Sequence, residues 1–259
     1  MKLCLNTHAL AGGLTPEELA ALCLRGGIGG VEFSVGYGHK HGVELDAADG
    51  ALIAIRDRMY AVGVEVVSLA SYCRFDMPDE AGVEENLARA RRGIDMASVM
   101  DAPVFRVVGN DLPDFMPRDA FVERMAGVVS LLGEYAQQRG VEVLLNMHGS
   151  FNFRRDVARV MELAGRGNVG LVYNCAPEDV VGGTVELAIE RVLPYVRHVH
   201  LHELTDGYPY IDLFARMKDA GYSGWYSIVV DDPSPETDRF LAYYTALARA
   251  WYHGAKRGG

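Results

Sequence analysis

Eight times along the 259-residue chain a short apolar run is followed by a longer amphipathic stretch, and this alternation limits the fold more than any other feature. Residues 2–8, 29–35, 64–72, 104–109, 141–148, 169–175, 196–203 and 225–231 read as strands. Between them, helices read from the Thr15-Pro16-Glu17-Glu18 start and over 46–62, 83–100, 118–139, 154–164, 184–193, 211–220 and 235–253. Gly63, Gly140 and Gly221 stand just past three of these helices, where a left-handed residue ends a helix. Strand–helix units of roughly thirty residues, repeated eight times, predict an α/β protein folded as a single (β/α)8 TIM barrel. An open doubly wound sheet would ask for a glycine fingerprint after the first strand, where the chain instead reads Asn6-Thr7-His8-Ala9-Leu10-Ala11-Gly12-Gly13. No break in composition divides residues 1–259, so one domain is expected.

Composition narrows the partners. Hydrophobic residues make up 49% and charged residues 23%, as suits a chain with a sizeable core. A net charge of −10 argues against nucleic acid or an anionic membrane as partner and leaves a small-molecule substrate. Cys4, Cys23, Cys73 and Cys175 form no CxxC pair and read as reduced thiols. The opening residues are too short in apolar length for a signal peptide, and no apolar run is long enough for a membrane span. The expectation is a cytoplasmic enzyme, with a homodimer as the guess for its assembly.

In a barrel of this kind chemistry gathers at the C-terminal ends of the strands. Counting in twos along each strand points inward Asn6 and His8, Glu32 and Ser34, Ser68 and Tyr72, Arg106 and Asn110, Asn146 and His148, Asn174, His200 and His202, and Asp231. A purely structural interior would be valine, isoleucine and leucine, whereas desolvated polar groups need partners or a ligand. The seventh strand, Val196-Arg197-His198-Val199-His200-Leu201-His202-Glu203, puts three imidazoles on one face. His198 reads equally well as a packed core histidine. Tyr72 and Trp225 read as packing, and Cys175 as a buried inert thiol. The loop Tyr37-Gly38-His39-Lys40-His41-Gly42 reads as a lid or, more simply, as a loop with two solvated histidines.

Four fragments carry a family resemblance that runs nearly end to end. They are Gly29-Gly30-Val31-Glu32-Phe33, Asn146-Met147-His148-Gly149, His198-Val199-His200-Leu201-His202-Glu203 and Gly221-Tyr222-Ser223-Gly224-Trp225-Tyr226-Ser227-Ile228. In that order the chain resembles the xylose isomerase-like sugar isomerase/epimerase barrels, a group that also includes the endonuclease IV type. The resemblance implies one divalent cation held by Glu on strand five, Asp on strand six, His on strand seven and Glu on strand eight. At those positions this chain has Asn146, Asn174, His200 and Val229, so only the histidine is retained. Hard cations want anionic oxygens, and the usual metal site is therefore expected to be absent, unless Asp231 replaces the last glutamate or His148, His200 and His202 form a softer site.

The expected function is thus a metal-independent isomerase, epimerase or lyase with no cofactor, acting on a small hydroxyl- and carbonyl-bearing compound, as in secondary metabolism. His148, His200 and His202 would move protons, with Glu32, Glu203 and Asp231 as partners. Asn6, Asn146 and Asn174 would hold an oxyanion, with His8 beside them in the mouth. Arg106 would either bind a ligand carboxylate or phosphate or pair with Glu32 deep in the barrel. Two alternatives stay open: a non-catalytic small-molecule-binding barrel, and a metal-dependent sugar isomerase/epimerase with rearranged ligands. The endonuclease IV activity is disfavoured, because the chain lacks a basic groove and the full set of ligands.

Overall fold

A computed structural model describes residues 1–230 and 236–256. Eight parallel strands close into a barrel in sequence order: β1 (Lys2–Asn6), β2 (Gly30–Val35), β3 (Glu65–Ser71), β4 (Val104–Val108), β5 (Glu142–Asn146), β6 (Val169–Asn174), β7 (Val196–Leu201) and β8 (Trp225–Ile228). The helices that follow them are α1 (Pro16–Gly26), α2 (Asp49–Ala61), α3 (Glu80–Val99), α4 (Arg118–Gln137), α5 (Arg154–Ala164), α6 (Glu186–Val192), α7 (Tyr210–Asp219) and α8 (Thr237–Gly254). β1 closes the ring against β8, with Leu3 opposite Tyr226 and Cys4 opposite Ser227. The single barrel expected from the eightfold alternation is therefore the fold.

Local chemistry explains the element ends. At α1 the Glu18 amide donates to Thr15 Oγ1 (3.3 Å), while the Thr15 amide donates to Glu18 Oε2 (2.9 Å), a reciprocal cap. α3 starts earlier than its apolar pattern suggests because Asp79 caps it, accepting from the Gly82 amide at 2.7 Å. Most strands stop sooner than their sequence patterns. His148, His202 and Glu203 lie beyond the ladders, in the loops that form the mouth.

The core lies between barrel and helices. Leu5, Phe33, Leu69, Phe105, Leu145, Tyr173, Val199 and Tyr226 point outward from successive strands into one continuous apolar cluster. Among the described residues only Val104, Leu144 and Val172 form an apolar cluster apart from it. Elsewhere the buried strand residues include Asn6, Glu32, Ser68, Arg106, Asn146, His198, His200 and Ser227. At the opposite end of the barrel Gly30 is required by packing: a Cβ there would lie 2.5 Å from Val67 Cγ2 and 2.9 Å from the Trp225 ring. Trp225 is thus a packing residue, as expected. All four cysteines are free and buried, and burial pushes the Cys175 thiol well up, in line with an inert role. Among the described residues no helix is long and apolar enough to cross a membrane.

Candidate active site

At the C-terminal mouth a cavity of about 540 Å³ is lined by Asn6, His8, Tyr37, Tyr72, Arg106, Asn146, His148, Asn174, His200, His202 and Val229. Eight residues singled out from the sequence thus converge from β1, β4, β5, β6 and β7. Asp231 lies outside the described residues. Glu203 is spent within its own loop, where its Oε1 accepts from the Thr205 amide and hydroxyl. Tyr72 departs from the packing role expected of it. It is 44% exposed, lines the cavity, and its hydroxyl donates to Asn110 Oδ1 at 2.9 Å.

Glu32 is the hub beneath this cavity. Its carboxylate is fully buried and accepts from Asn6 Nδ2 (2.9 Å) and Ser227 Oγ (2.7 Å). His200 Nε2 lies 3.1 Å from Oε2 and 3.3 Å from Oε1, and His198 Nε2 stands 3.6 Å from Oε2. Burial by itself would raise the Glu32 pKa, but the facing imidazoles of His200 and His198 overcome it and hold the group well below the carboxylate range. For His200 burial dominates and lowers its pKa to about 4, against the opposing pull of Glu32. Both directions give the same state at neutral pH, an ionised Glu32 facing a neutral His200. An ionised carboxylate can only accept, so His200 carries its proton on Nε2 and keeps a lone pair on Nδ1, which has no protein partner among the described residues.

The other mouth histidines are held differently. His202 Nδ1 lies 3.0 Å from the Val229 carbonyl and its Nε2 2.9 Å from the Asn174 side-chain oxygen. A neutral imidazole can donate to only one of these. The arrangement is satisfied when Nδ1–H donates to the carbonyl and the Asn174 amide turns its NH₂ toward Nε2. Both ring nitrogens are then occupied, and His202 and Asn174 hold each other in place. His148 is exposed at the start of the β5–α5 loop, its ring edge-on to Tyr72 at 6.5 Å. Asn6 is also occupied: its Oδ1 accepts from the His8 amide (2.8 Å) and Ser34 Oγ (3.1 Å) while its NH₂ serves Glu32. Asn146, by contrast, has a buried Oδ1 with no partner.

The loop after β2 is more tightly built than the sequence suggests. His41 is not solvated but 1% exposed. Its Nδ1 accepts from the Val43 amide (3.1 Å), which leaves Nε2–H to donate to Thr7 Oγ1 (3.1 Å). Tyr37 stacks on His39 with ring centres 5.4 Å apart and meets His8 edge-on at 4.7 Å, forming one wall of the cavity. Sequence reasoning missed Tyr37, whose only signal was an aromatic residue between two loop glycines. Burial lowers the His41 pKa to about 3, while the unfolded chain titrates near 6.5. The unfolded state therefore binds the extra proton between those values, so this stability is intact above about 6.5 and is lost as pH falls toward 3. His200 acts with the same sign over 6.5 to about 4. Urea unfolding from pH 7 to 4.5 is expected to show a steeper loss of stability in wild type than in His41→Gln. The difference approaches about 1.4 kcal/mol per pH unit. Parallel curves would refute this role for His41.

The four positions that the resemblance assigns to a metal, Asn146, Asn174, His200 and Val229, do line one cavity. Their donors are two neutral amides, one already engaged with His202, and an imidazole facing Glu32. No carboxylate is among them, so they do not fit a hard divalent cation. Nor do His148, His200 and His202 form a cluster. The group among the described residues with metal-ligand spacing is Glu32, His198 and His200, whose ligand atoms lie within 4.8 Å of one another.

A second space of about 900 Å³ adjoins the first and shares His148, Asn174 and His202 with it. The loops before α5 and α6 shape it with Phe153 and Val181, and the first turn of α6 adds Leu187, all more than half exposed. Nothing in the strand periodicities pointed to this lobe, because loops and the first turns of α5 and α6 make most of it.

A family model described as xylose isomerase-like TIM barrel matches residues 20–248. No curated protein matches the sequence. Among solved structures, an L-ribulose 3-epimerase is similar with a TM-score of 0.81 at 17% identity, covering 98% of this chain and 96% of that one. A D-psicose 3-epimerase from Clostridium cellulolyticum H10 has a TM-score of 0.77 at 13% identity, covering 98% and 99%. A 3-keto-D-glucoside 4-epimerase from E. coli has a TM-score of 0.77 at 14% identity, covering 96% and 99%.

Proposed function

The chain belongs to the xylose isomerase-like TIM-barrel family, and from that premise we propose that it is an epimerase or isomerase of a sugar-like hydroxy-carbonyl compound that moves protons with histidine rather than through a metal. The observation that carries this reading is the ionised Glu32 against His200 Nε2, which leaves Nδ1 of a cavity-lining imidazole free to act as base. The epimerase names of the solved relatives supply the reaction class.

In this reading a C–H beside the substrate carbonyl gives its proton to His200 Nδ1. The C–H electron pair becomes a C=C bond and the carbonyl oxygen takes the negative charge. Glu32 stabilises the imidazolium that forms, and Asn146 provides a neutral amide for the oxyanion. Return of a proton to the other face, from His148 or a water beside it, inverts the centre. Return of the proton to the former carbonyl carbon, with the adjacent hydroxyl proton passing to the former carbonyl oxygen, isomerises the substrate instead. Asn6 and Ser227 position Glu32, and Asn174 with His202 positions the mouth.

One observation favours a second reading, in which Glu32, His198 and His200 hold a metal ion. Against it, the carboxylate already accepts from Asn6, Ser227 and His200, and all three groups are buried. Proton exchange settles the matter. The purified protein, incubated in D₂O with a panel of ketoses, aldoses and their acid derivatives, is expected to wash deuterium into a carbon next to the carbonyl. It should do so equally with and without chelator, and with sub-stoichiometric metal by elemental analysis. Chelator-sensitive exchange would replace this mechanism by the metal-dependent one, and no exchange with any compound would favour a binding protein.

A further inference from the structure

We propose that the substrate is an acid, carrying a carboxylate or phosphate that Arg106 binds inside the barrel mouth; this rests on reading that cavity as the substrate site. Arg106 extends from β4 into the 540 Å³ cavity and is 8% exposed. It makes no ion pair with any described residue, and its buried Nε has no hydrogen-bond partner.

The other enclosed arginines show what this chain does with a guanidinium that needs compensation. Arg216, with its side chain 9% exposed, pairs with Asp212 (3.0 Å) and Glu186 (3.1 Å). Arg154, 11% exposed, pairs with Asp179. Arg154 also lines a cavity but has Asp179 beside it, so of the three only Arg106 has no acid partner among the described residues. Glu32 does not take that part: no ion pair joins it to Arg106, and its carboxylate accepts instead from Asn6, Ser227 and His200. A cation out of water without a hydrogen-bonded anion is costly, and a ligand oxyanion is the group that would complete it. The planar fork suits carboxylate and phosphate alike, with two parallel N–H donors. Tyr37 and Tyr72 flank the same cavity and offer aromatic surface to the rest of the molecule.

A rival role for Arg106 is to stabilise the oxyanion formed from an uncharged sugar, and the test separates the two. D-Glucuronate, D-gluconate, D-fructose 6-phosphate and D-fructose are titrated calorimetrically into wild type, Arg106→Lys and Arg106→Gln. At least one acid is expected to bind about tenfold or more tighter than D-fructose. Arg106→Gln should lose that preference, and Arg106→Lys should keep only part of it because a point charge lacks the fork. Whether the uronate or the phosphate binds identifies the anion. D-Fructose binding as tightly as every acid, or acids binding wild type and both variants alike, would overturn the proposal. If Arg106→Gln does not fold, the lysine variant carries the comparison. Deuterium exchange with an uncharged sugar that is insensitive to Arg106 substitution would end the inference while leaving the epimerase reading intact.

Discussion

His200→Ala is expected to fold normally and to lose between about 10² and 10⁴ of its proton-exchange rate. The side chain is the one imidazole of the mouth with a protonated nitrogen tied to a buried anion and the other left without a protein partner. Its pKa, lowered to about 4 by burial, has a direct kinetic consequence. A base must be unprotonated, so activity should persist as pH falls below the usual histidine range and fail only as it approaches about 4. Exchange measured by NMR over pH 4 to 8 checks both points. Full exchange in the alanine variant, or an acid limb near 6.5, would remove His200 from the proposed role. His202→Ala serves as the contrast: with both ring nitrogens bound to the protein, it should alter substrate affinity more than the shape of the pH profile.

Glu32→Ala carries the largest expected effect on stability. The substitution leaves Asn6 Nδ2, Ser227 Oγ and His200 Nε2 without their acceptor in a buried interior. Removing one member of a buried charged network costs about 3–5 kcal/mol, which for a chain of this size lowers Tm by roughly 10 °C. Glu32→Gln keeps the volume but turns an NH₂ toward donors. It should be less destabilised than the alanine variant and still lose most exchange activity, because the imidazole loses the anion that fixes its tautomer. Thermal unfolding of the two variants, followed by circular dichroism, gives the comparison. A Glu32→Ala variant with wild-type Tm would show that the carboxylate is not the centre of the network.

Strand periodicity revealed more of the site than of its wiring. Alternation alone placed Asn6, Arg106, Asn146, Asn174 and His200 toward the axis, because a side chain's face in a strand depends only on its parity. It could not distinguish depth from reach. Glu32 and His200 both point inward, yet only the closed ring brings β2 and β7, 168 positions apart, within hydrogen-bonding distance. The partner of Arg106 was equally open in the sequence, and the barrel answers it by keeping Glu32 for other donors. Loops were the least legible part. His41 looked solvated because its neighbours are glycine and lysine, but Thr7 and Val43 enclose it.

The sequence by itself determined the repeat, the closed barrel and the end of it that carries polar groups, since these follow from local periodicity and from the need to bury eight apolar stripes on one sheet. Set against the resembled family, it also places amides and a valine where that resemblance implies carboxylates. Only the tertiary structure decided which polar groups satisfy one another and which are left over. Hydrogen-bond saturation is a property of groups that are distant along the chain, and it becomes defined once the strands have closed. The groups engaged with one another, Asn6, Ser227, His202 and Asn174, are the frame. Asn146 Oδ1 and Arg106 Nε, buried without a partner among the described residues, and the cavity-lining His200 are where a substrate has something to complete.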